Sequence, residues 1–335
     1  MSQAAVALIL ALLVLAGCGQ STEIREPDVV ISGDGPAATP SADMEDEAGI
    51  EIAVVTHGEA SDPFWQIVRN GVQAAEREAD VRAPYRSPDS FSVERMRQLI
   101  NDAVDRRPDA LVVSIPNSDV IPAIRRAVLD GIPVVSINSG SDVFRRVGAI
   151  AHIGQPEEEA GYQAGKRLAA AGGTRSLCVN QEVGNVGLDL RCRGFARAMR
   201  EAGGSSNVVA IDAEQRNASQ RRLSDAVAQR QANGVLTLSS GGAEIAVQAL
   251  RLRAGFKMAT FDLSSDVLTA VERGRLEFAV DQQPYLQGYL SVLFLAQRIR
   301  NGLFPAEGKV FPTGPNFVTR ENAAQVERLT RRGIR

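Results

Sequence analysis

The stretch 278-FAVDQQPYLQGYL-290 joins the end of a buried strand to the start of a helix. An apolar run opens it, Asp281, Gln282 and Gln283 follow, and after Pro284 the apolar residues recur at helical spacing. A core strand that ends in one carboxylate and two amides has two explanations. Either an ordinary loop follows it, or its polar groups face something that must be hydrogen-bonded. The rest of the sequence distinguishes between the two.

Strand-like and helix-like patterns alternate along the chain from Ile50 onward. Amphipathic stretches such as VERMRQLINDAVDRR separate short apolar runs that are rich in β-branched residues. The predicted strands are IEIAVVT, ALVVSI, IPVVSI, SLCVN, NVVAI, GVLTL, KMATF and LEFAV. This alternation predicts parallel sheets covered by helices on both faces. The nearly continuous apolar character of the strands agrees with burial on both sides.

The order of these elements repeats in the two halves of the chain. In the first half, RRPDALVVSIPNS leads through a helix to LDGIPVVSIN, and in the second half RQANGVLTLSSGG leads through a helix to LRAGFKMATFD. The last strands of the two repeats end in Asn138 and Asp262. We therefore predict an α/β fold of two similar doubly wound parallel-sheet lobes, of which the second begins near Gln155.

The N-terminus differs in kind from the rest of the chain. An uncharged apolar run from Ala4 to Ala16 is shorter than the ~20 residues of a membrane-spanning helix and is typical of a secretory signal peptide. Its end, LAGC, resembles the bacterial lipobox, although no Lys or Arg precedes the run. Residues 1–18 are therefore predicted to be a lipoprotein signal peptide with lipidation at Cys18. A buried hydrophobic helix with an incidental cysteine is the alternative.

Residues 19–49 are polar, acidic and rich in Pro, Gly and Ser. Such a composition cannot bury a core, and it predicts a disordered tether. Export would place the chain in an oxidising compartment, where Cys178 and Cys192 are candidates for a disulfide that stabilises the fold by roughly 3 kcal/mol. Two buried free thiols are the alternative. No spacing of His and Cys residues suggests a metal site.

Composition and motifs argue against several function classes. The net charge is −3 over 335 residues and no basic patch suggests nucleic acid. No dinucleotide fingerprint, phosphate-binding loop or nucleophile elbow is present, and the chain has only two His. Asp262 and Asp281 could form a glycosidase pair, but binding explains them with fewer assumptions. We predict no enzyme, no catalytic residue, no cofactor and no metal.

Polar and aromatic side chains follow the predicted strands, where ligands of open parallel sheets bind. They are His57, Asp62, Phe64, Trp65, Asn138, Asn185, Arg191, Ser239, Ser240, Asp262, Asp281 and Gln282. Carboxylate, amide and guanidinium groups pair with sugar hydroxyls, and aromatic rings stack on the apolar face of a pyranose. The set therefore suits a sugar.

Each of these residues also has an explanation without a ligand. Asp62 could be only the N-cap of the helix that follows it, Trp65 a core residue, and Asp262 the end of a strand. His57 could be a hydrogen-bonded loop residue, and Arg191 could pair with Asp189 or Glu182 on the surface. Their shared position at the ends of strands favours a common binding site.

The chain resembles the periplasmic sugar-binding proteins of the ribose- and galactose-binding type, which are the substrate-binding subunits of ABC importers. The similarity extends from Ile50 to about Asn322, and its most specific stretches are DPFW, GIPVVSIN, LRCRGF, ATFD and AVDQQPYLQGY. It implies the type I periplasmic binding protein fold, in which two lobes joined by three hinge strands close over one monosaccharide.

The resemblance also implies the extent of each lobe. The N-terminal lobe is expected to comprise residues 50–154 and 283–309. The C-terminal lobe is expected to comprise residues 155–282 and 310–335. The protein is expected to be a monomer.

Several residues match binding residues of that family by motif. Phe64 and Trp65 match the aromatic pair that sandwiches the sugar, and Arg191 matches the ligand-binding arginine before the Gly-Phe of its helix. Asp262 matches the aspartate that ends the Phe-Asp strand, and Gln282 matches the amide just before the proline. The resemblance thus implies that Gln282 ends a hinge strand and binds a sugar hydroxyl.

Other positions depart from the family pattern. Asn138 and Ser240 stand where the ribose-binding type has Asp and Asn, so a different hydroxyl pattern is expected. Two extra residues before the first helix alter the spacing around His57 and Asp62. Asn185 is a further candidate contact.

The resemblance implies capture of a monosaccharide or similar polyol and its delivery to an ABC permease in the cytoplasmic membrane. The protein would be exported and held only by its lipid, in the periplasm or on the outer face of the cell membrane. A sensor that presents its closed form to a chemoreceptor or histidine kinase is the alternative. A repressor's effector domain shares the architecture but would need a helix-turn-helix where this chain has its signal peptide.

Overall fold

The computed structural model describes residues 49–59, 62–250 and 255–335. The predicted signal peptide, the lipidation site Cys18 and the tether, apart from Gly49, lie outside these ranges. No helix in the described part of the chain is long and apolar enough to cross a membrane.

The described residues form alternating strands and helices, numbered here in chain order. The strands are β1 (Ile52–Val55), β2 (Tyr85–Arg86), β3 (Ala110–Ser114), β4 (Val134–Ile137), β5 (Ala151–Gly154), β6 (Arg175–Asn180), β7 (Ser205–Ala210), β8 (Gly234–Thr237), β9 (Lys257–Phe261), β10 (Phe278–Asp281), β11 (Lys309–Pro312) and β12 (Asn316–Val318). The helices are α1 (Pro63–Ala79), α2 (Val93–Asp105), α3 (Ile121–Leu129), α4 (Phe144–Val147), α5 (Glu157–Ala170), α6 (Val186–Glu201), α7 (Arg216–Gln229), α8 (Ser240–Leu250), α9 (Ser265–Glu272), α10 (Pro284–Asn301) and α11 (Ala323–Thr330).

The strands form two six-stranded sheets of matching topology. Their orders are β11-β5-β4-β3-β1-β2 and β12-β10-β9-β8-β6-β7, so each strand of the first sheet has a counterpart at the same place in the second. All neighbours are parallel except β10 and β12. Apolar side chains cover both faces of each sheet. The predicted class, two similar doubly wound parallel-sheet lobes, is confirmed.

The chain crosses between the two sheets three times. It crosses after β5 into α5, after β10 into α10, and between β11 and β12. The third crossing lies between Pro312 and Asn316, because β11 pairs with β5 through Pro312. The boundary expected at residue 310 therefore falls within a strand of the first sheet, slightly too early in the chain.

Local sequence signals explain where the first helix begins. The Asp62 carboxylate accepts a hydrogen bond from the backbone N–H of Phe64 at 2.8 Å, and Pro63 occupies the first helical position. The apolar stripe that includes Trp65, Val68 and Val72 is buried against the first sheet, as the helical spacing predicts.

In the second lobe, a disulfide joins Cys178 of β6 to Cys192 of α6. Both residues are buried. The bond ties α6 to β6, the strand beside the edge strand β7 of the second sheet. The two cysteines, for which the sequence left two explanations open, are therefore bonded and are not free thiols.

Helices α5 and α6 approach each other closely at two glycines. A Cβ at Gly194 would lie 1.8 Å from the carbonyl oxygen of Glu158, and one at Gly161 would lie 2.0 Å from the carbonyl oxygen of Arg191. Only residues without a Cβ fit at these positions. The crossing therefore fixes how the start of α5 faces the start of α6.

We expect Gly194→Ala to lower the free energy of unfolding by about 2 kcal/mol or more, because the helices must separate to admit the methyl group. Thermal or urea unfolding would measure this effect. The matched control is Gly241→Ala in α8, where a Cβ meets nothing within 4 Å. Alanine favours a helix over glycine, so the control variant should be as stable as the parent or more stable. Equal stability of Gly194→Ala and Gly241→Ala would contradict the close crossing.

Candidate functional site

A small cavity, of about 20 Å³, lies between the carboxyl ends of the two sheets. Ten of the twelve residues singled out in the sequence line it: His57, Asp62, Phe64, Trp65, Asn138, Asn185, Arg191, Ser239, Asp262 and Gln282. They come from both lobes and from the second crossing segment. Folding thus brings together residues that are separated by up to about two-thirds of the chain.

Asp281 does not line the cavity, and neither does Ser240. It is the first residue of α8 and lines the wider groove that leads into the cavity, whereas its neighbour Ser239 lines both. The Ser239 hydroxyl also accepts a hydrogen bond from the backbone N–H of Gly242 at 3.1 Å. The motif match had indicated Ser240, which is one residue beyond Ser239, the serine that borders the cavity.

Asn138 and Asp262 occupy equivalent places in the two lobes. Each follows the strand at the same place in its sheet, and each has a left-handed backbone, with φ of 60° and 68°. The backbone N–H of Asn138 bonds to Ile153 of β5, and that of Asp262 bonds to Val280 of β10. Asn and Asp tolerate this conformation better than most residues. The repeat seen in the sequence therefore extends to the backbone of the site.

His57 is a neutral bridge between the lobes. Its Nδ1 lies 2.8 Å from the Ser114 hydroxyl, and its Nε2 lies 3.2 Å from Nδ2 of Asn185 in the other lobe. Because the amide nitrogen can only donate, Nε2 accepts and the ring proton sits on Nδ1. Burial, reinforced by the positive charge of Arg191, lowers the pKa of His57 to about 3.

Two aromatic residues of α1 form one wall of the cavity. Trp65 makes edge contacts with His57 and Phe64, at centroid distances of 4.8 and 5.1 Å. Both Trp65 and Phe64 are buried and also belong to the core of the first lobe. The core role and the cavity role, which the sequence posed as alternatives, therefore coexist. Trp65 is the single tryptophan of the chain.

Arg191 lies in the interior, not on the surface. Its Nε and Nη2 donate to the two carboxylate oxygens of Glu157 at 2.5 and 3.0 Å, and Nη2 also donates to Gln282 at 2.7 Å. The guanidinium carbon sits 4.6 Å from the centroid of the Phe261 ring. The surface ion pair that the sequence allowed is therefore wrong, because the partner is Glu157 rather than Asp189 or Glu182.

Glu157 was not singled out by the sequence. It is the first residue of α5, three positions after β5 ends, and only 1% of it is exposed. Gln155 donates to the same carboxylate at 3.0 Å. The rule that site residues follow strand ends would have indicated Glu157, but nothing in the run of three glutamates distinguishes this one from its neighbours.

The stretch that ends β10 turns its polar side chains inward. Gln282 donates through Nε2 to the carboxylate of Asp262, and its carbonyl accepts a hydrogen bond from Gln287 at 3.1 Å. Asp281 accepts a hydrogen bond from the backbone of Gln283 at 2.7 Å and forms an ion pair with Arg335 at 2.7 Å. Asp281 and Gln282 are almost fully buried, so this is no ordinary loop.

Three carboxyl groups in the cavity wall resist ionisation. Burial raises the pKa of Asp262 to about 7, although Arg191 opposes the rise. Burial likewise raises the pKa of Glu182 to about 7 and that of Asp62 to about 6. Glu182, which accepts a hydrogen bond from Asn185 at 2.6 Å, was missed as a site residue because it lies in a loop without a recognisable motif. Among the described residues, no cluster of three or more His, Cys, Asp or Glu could hold a metal ion.

Comparison with known proteins gives a match to a family model and similar solved structures. A model described as periplasmic binding protein domain matches residues 52–302. No curated protein sequence matches the chain significantly. The solved structure of a carbohydrate transporter from Acidothermus cellulolyticus 11B, in complex with myo-inositol, is 34% identical, with a TM-score of 0.80 over 86% of this chain and 100% of that one.

Two more distant structures share the fold. An ABC transporter solute-binding protein from Burkholderia graminis C4D1M, in complex with D-arabinose, is 22% identical, with a TM-score of 0.74 over 83% of this chain and 98% of its own. One from Agrobacterium vitis, bound to α-D-tagatopyranose, is 19% identical, with a TM-score of 0.72 over 85% and 99%. At these identities the likeness concerns the fold alone.

Glu157→Gln should lower the free energy of unfolding by about 3 kcal/mol, because it leaves the buried Arg191 without its counter-charge. Urea unfolding at neutral pH would measure the loss. Glu158→Gln is the matched control, since the neighbouring Glu158 is partly exposed and pairs with Arg197 on the surface. If the two variants were equally stable, the ion pair would not have the importance assigned to it.

The three raised carboxyl pKa values predict that acidification stabilises the cleft. Between about pH 4 and pH 7 the folded chain binds more protons at Asp62, Glu182 and Asp262 than the unfolded chain, so their contribution to stability falls as pH rises. Asp262→Asn cannot ionise. We expect it to be more stable than the parent by at least about 1 kcal/mol at pH 8, with little difference near pH 4.

Thermal unfolding across this pH range would test the expectation. Asp102→Asn, at an exposed position of α2, is the control and should follow the parent at every pH. Parallel pH profiles for Asp262→Asn and the parent would contradict the assigned pKa.

Proposed function

Because this chain belongs to the periplasmic binding protein family, we propose that it captures a monosaccharide or a similar polyol in the cavity between its lobes. The bound form would then be presented to an ABC permease.

The observation that carries this proposal is the set of unused hydrogen-bond acceptors in the cavity wall. One oxygen each of Asp62, Glu182 and Asp262 makes no hydrogen bond to a described residue. Oε1 of Gln181, also in the wall, is buried without a partner in the described chain. These oxygens are therefore available to accept hydrogen bonds from a ligand, and the buried Gln181 oxygen gains most from a donor.

Hydroxyl groups meet this requirement because each donates one hydrogen bond and accepts others. The wall also offers donors: neither Nη1 of Arg191 nor Nδ2 of Asn138 bonds to a described residue. Beside them, Phe64 and Trp65 present apolar surface suited to the C–H groups of a sugar ring. Polar edges and an apolar face together match a polyol.

Contacts between the lobes support a closing motion. The backbone N–H of Val186 donates to the carbonyl of Pro116 at 2.8 Å, and the Asn117 amide donates to Gly184 at 3.1 Å. Both bonds join the first lobe to the loop at the start of α6. A ligand that touches both lobes favours this closed form over an open one, a motion for which periplasmic binding proteins are a standard example.

Myo-inositol is the first ligand to test, because it occupies the 34% identical Acidothermus protein. The proposal further includes a lipid on Cys18 as the membrane attachment, residues 19–49 as a tether, and a monomeric binding unit. A sensor would use the same cavity. Uptake of labelled ligand by cells with and without the gene separates transport from sensing.

Titration of a soluble form that starts at Gly19, called the processed chain below, against myo-inositol, D-arabinose, D-tagatose, D-glucose and D-galactose tests the function. We expect one of them to bind with a dissociation constant in the micromolar range or below and to change the fluorescence of Trp65. Gln282→Ala should weaken binding by about 10-fold or more, because it removes a bond to both Arg191 and Asp262.

Asp102→Asn, far from the cavity on α2, should bind like the parent protein. Folded protein that binds no member of the panel, or Gln282→Ala that binds as tightly as the parent, would count against the proposal.

A further inference from the structure

Above about pH 7, when the carboxyl groups of the cavity wall are ionised, the described side chains that line the cavity carry more negative than positive charge. Asp62, Glu182 and Asp262 line it, and Arg191 is the only cationic side chain beside them. Arg191 is already paired with the buried Glu157. His57 adds no positive charge, since its Nε2 accepts a hydrogen bond and its Nδ1 carries the single ring proton.

The mouth of the cleft, which is the groove leading into the cavity, also has more acidic than basic side chains. The groove that leads to the cavity is bordered by Glu59 of the first lobe and by Asp212 and Glu214 of the second. Its one cation, Arg216, lies 3.1 Å from Glu244 and is paired with it. Any ligand that enters therefore passes three further carboxylates that lack a cationic partner among the described residues.

Asp262 shows that this charge faces the ligand space. Its residue is 9% exposed, it lines the cavity, and one of its oxygens bonds to no described residue. A hydroxyl group could donate to that oxygen. An anionic group placed there would instead meet like charge in a cleft screened from water, where electrostatic repulsion is stronger than in bulk solvent.

The raised pKa values of carboxyl groups in the cavity wall and at the mouth also indicate surroundings that disfavour negative charge. The pKa of Glu182 is raised to about 7 by burial and, to a smaller extent, by the neighbouring charge of Asp62. Burial also raises the pKa of Glu59, and repulsion from Glu214 adds to the rise. Surroundings that oppose ionisation of their own carboxyl groups oppose an incoming anion for the same physical reasons.

We propose that the cleft selects its ligand by charge, accepting an uncharged polyol and excluding anionic sugars such as uronates and sugar phosphates. The inference rests on the proposed function, because it concerns the ligand of the same cavity. Cavity carboxylates accept hydroxyl donors from a neutral ligand, and the acidic mouth lowers the local concentration of anions.

A first experiment needs no knowledge of the ligand, since Trp65 is the only tryptophan and lines the cavity. Its fluorescence is quenched with iodide, caesium and neutral acrylamide in the processed chain. With each constant divided by that of the same quencher for free N-acetyltryptophanamide, we expect the iodide constant to be about fivefold or more below the caesium constant at low ionic strength, and the difference to shrink as salt is added.

Substitutions at the mouth of the cleft test whether its three carboxylates cause the weak quenching by iodide. Glu59→Gln/Asp212→Asn/Glu214→Gln should raise quenching by iodide and leave quenching by acrylamide unchanged. The matched control removes three exposed carboxylates elsewhere, as Asp102→Asn/Asp225→Asn/Glu321→Gln, and should behave like the parent. Iodide quenching equal to caesium quenching in the parent, or an equal response of both triple variants, would overturn the inference.

The second experiment compares ligands of matched shape. For the neutral polyol that binds, the charged counterpart is titrated by competition: myo-inositol 1-phosphate for myo-inositol, D-glucuronate for D-glucose, and D-galacturonate for D-galactose. We expect the anion to bind about 100-fold or more weakly. Uncharged D-glucuronamide and D-galacturonamide control for size.

The outcomes separate the two claims. An anion that competes within tenfold of its neutral parent overturns the charge selection and leaves the proposed function intact. If no neutral polyol binds but the quenching asymmetry is present, the proposed function fails while the charge barrier of the cleft is upheld. An amide that is rejected as strongly as its acid attributes the discrimination to size and contradicts the inference.

Discussion

The buried ion pair between Arg191 and Glu157 is the interaction on which the geometry of the cleft depends. It joins the first residue of α5, where the chain has just crossed between sheets, to the helix that carries the disulfide. Arg191 also holds Gln282, which ends the second crossing, and Gln282 holds Asp262. One guanidinium thus fixes two crossing segments and one carboxylate of the cavity wall. The close contact of α5 with α6 keeps the two partners of the pair in register.

The cavity follows from repeating one lobe plan twice. Asn138 and Asp262 follow equivalent strands with the same unusual backbone conformation, so two polar side chains line the cavity from opposite sheets. The wall that results has more acceptors than donors and more negative than positive charge. Ligands rich in hydroxyl groups donate hydrogen bonds to the surplus acceptors, and because they are uncharged they are not repelled by the negative charge. The hydrogen-bond argument for a polyol and the electrostatic argument against anions therefore rest on the same wall.

The sequence predicted the frame of the fold well, because it depends on local patterns. All eight predicted strands are present, and the capped helix at Pro63 begins where its signals place it. The four missed strands, β2, β5, β11 and β12, have two to four residues each and lack an extended apolar run. Two of them, β11 and β12, are placed in the sheets by pairing with β5 and β10. Local propensity does not reveal such pairing between segments that are distant in the chain.

The sequence predicted cavity residues that follow the ends of strands, but it did not predict which side chains they bond to. Arg191 was identified, but its pairing with Glu157 joins residues 34 positions apart whose meeting depends on how two helices pack. Glu182 lies in the loop between β6 and α6, and its place in the cavity wall beside His57 depends on contacts between residues of both lobes. Ser239 rather than Ser240 borders the cavity, since the start of α8 decides which serine faces inward.

A crystal structure of the protein with myo-inositol, or with whichever neutral polyol of the panel binds, tests the central claim most directly. We expect ligand hydroxyl groups within hydrogen-bond distance of Arg191 and of the free oxygen of Asp262, with Arg191 still paired with Glu157. A ligand bound outside this cavity, or an Arg191 that leaves Glu157 to reach it, would contradict the role given to the buried ion pair.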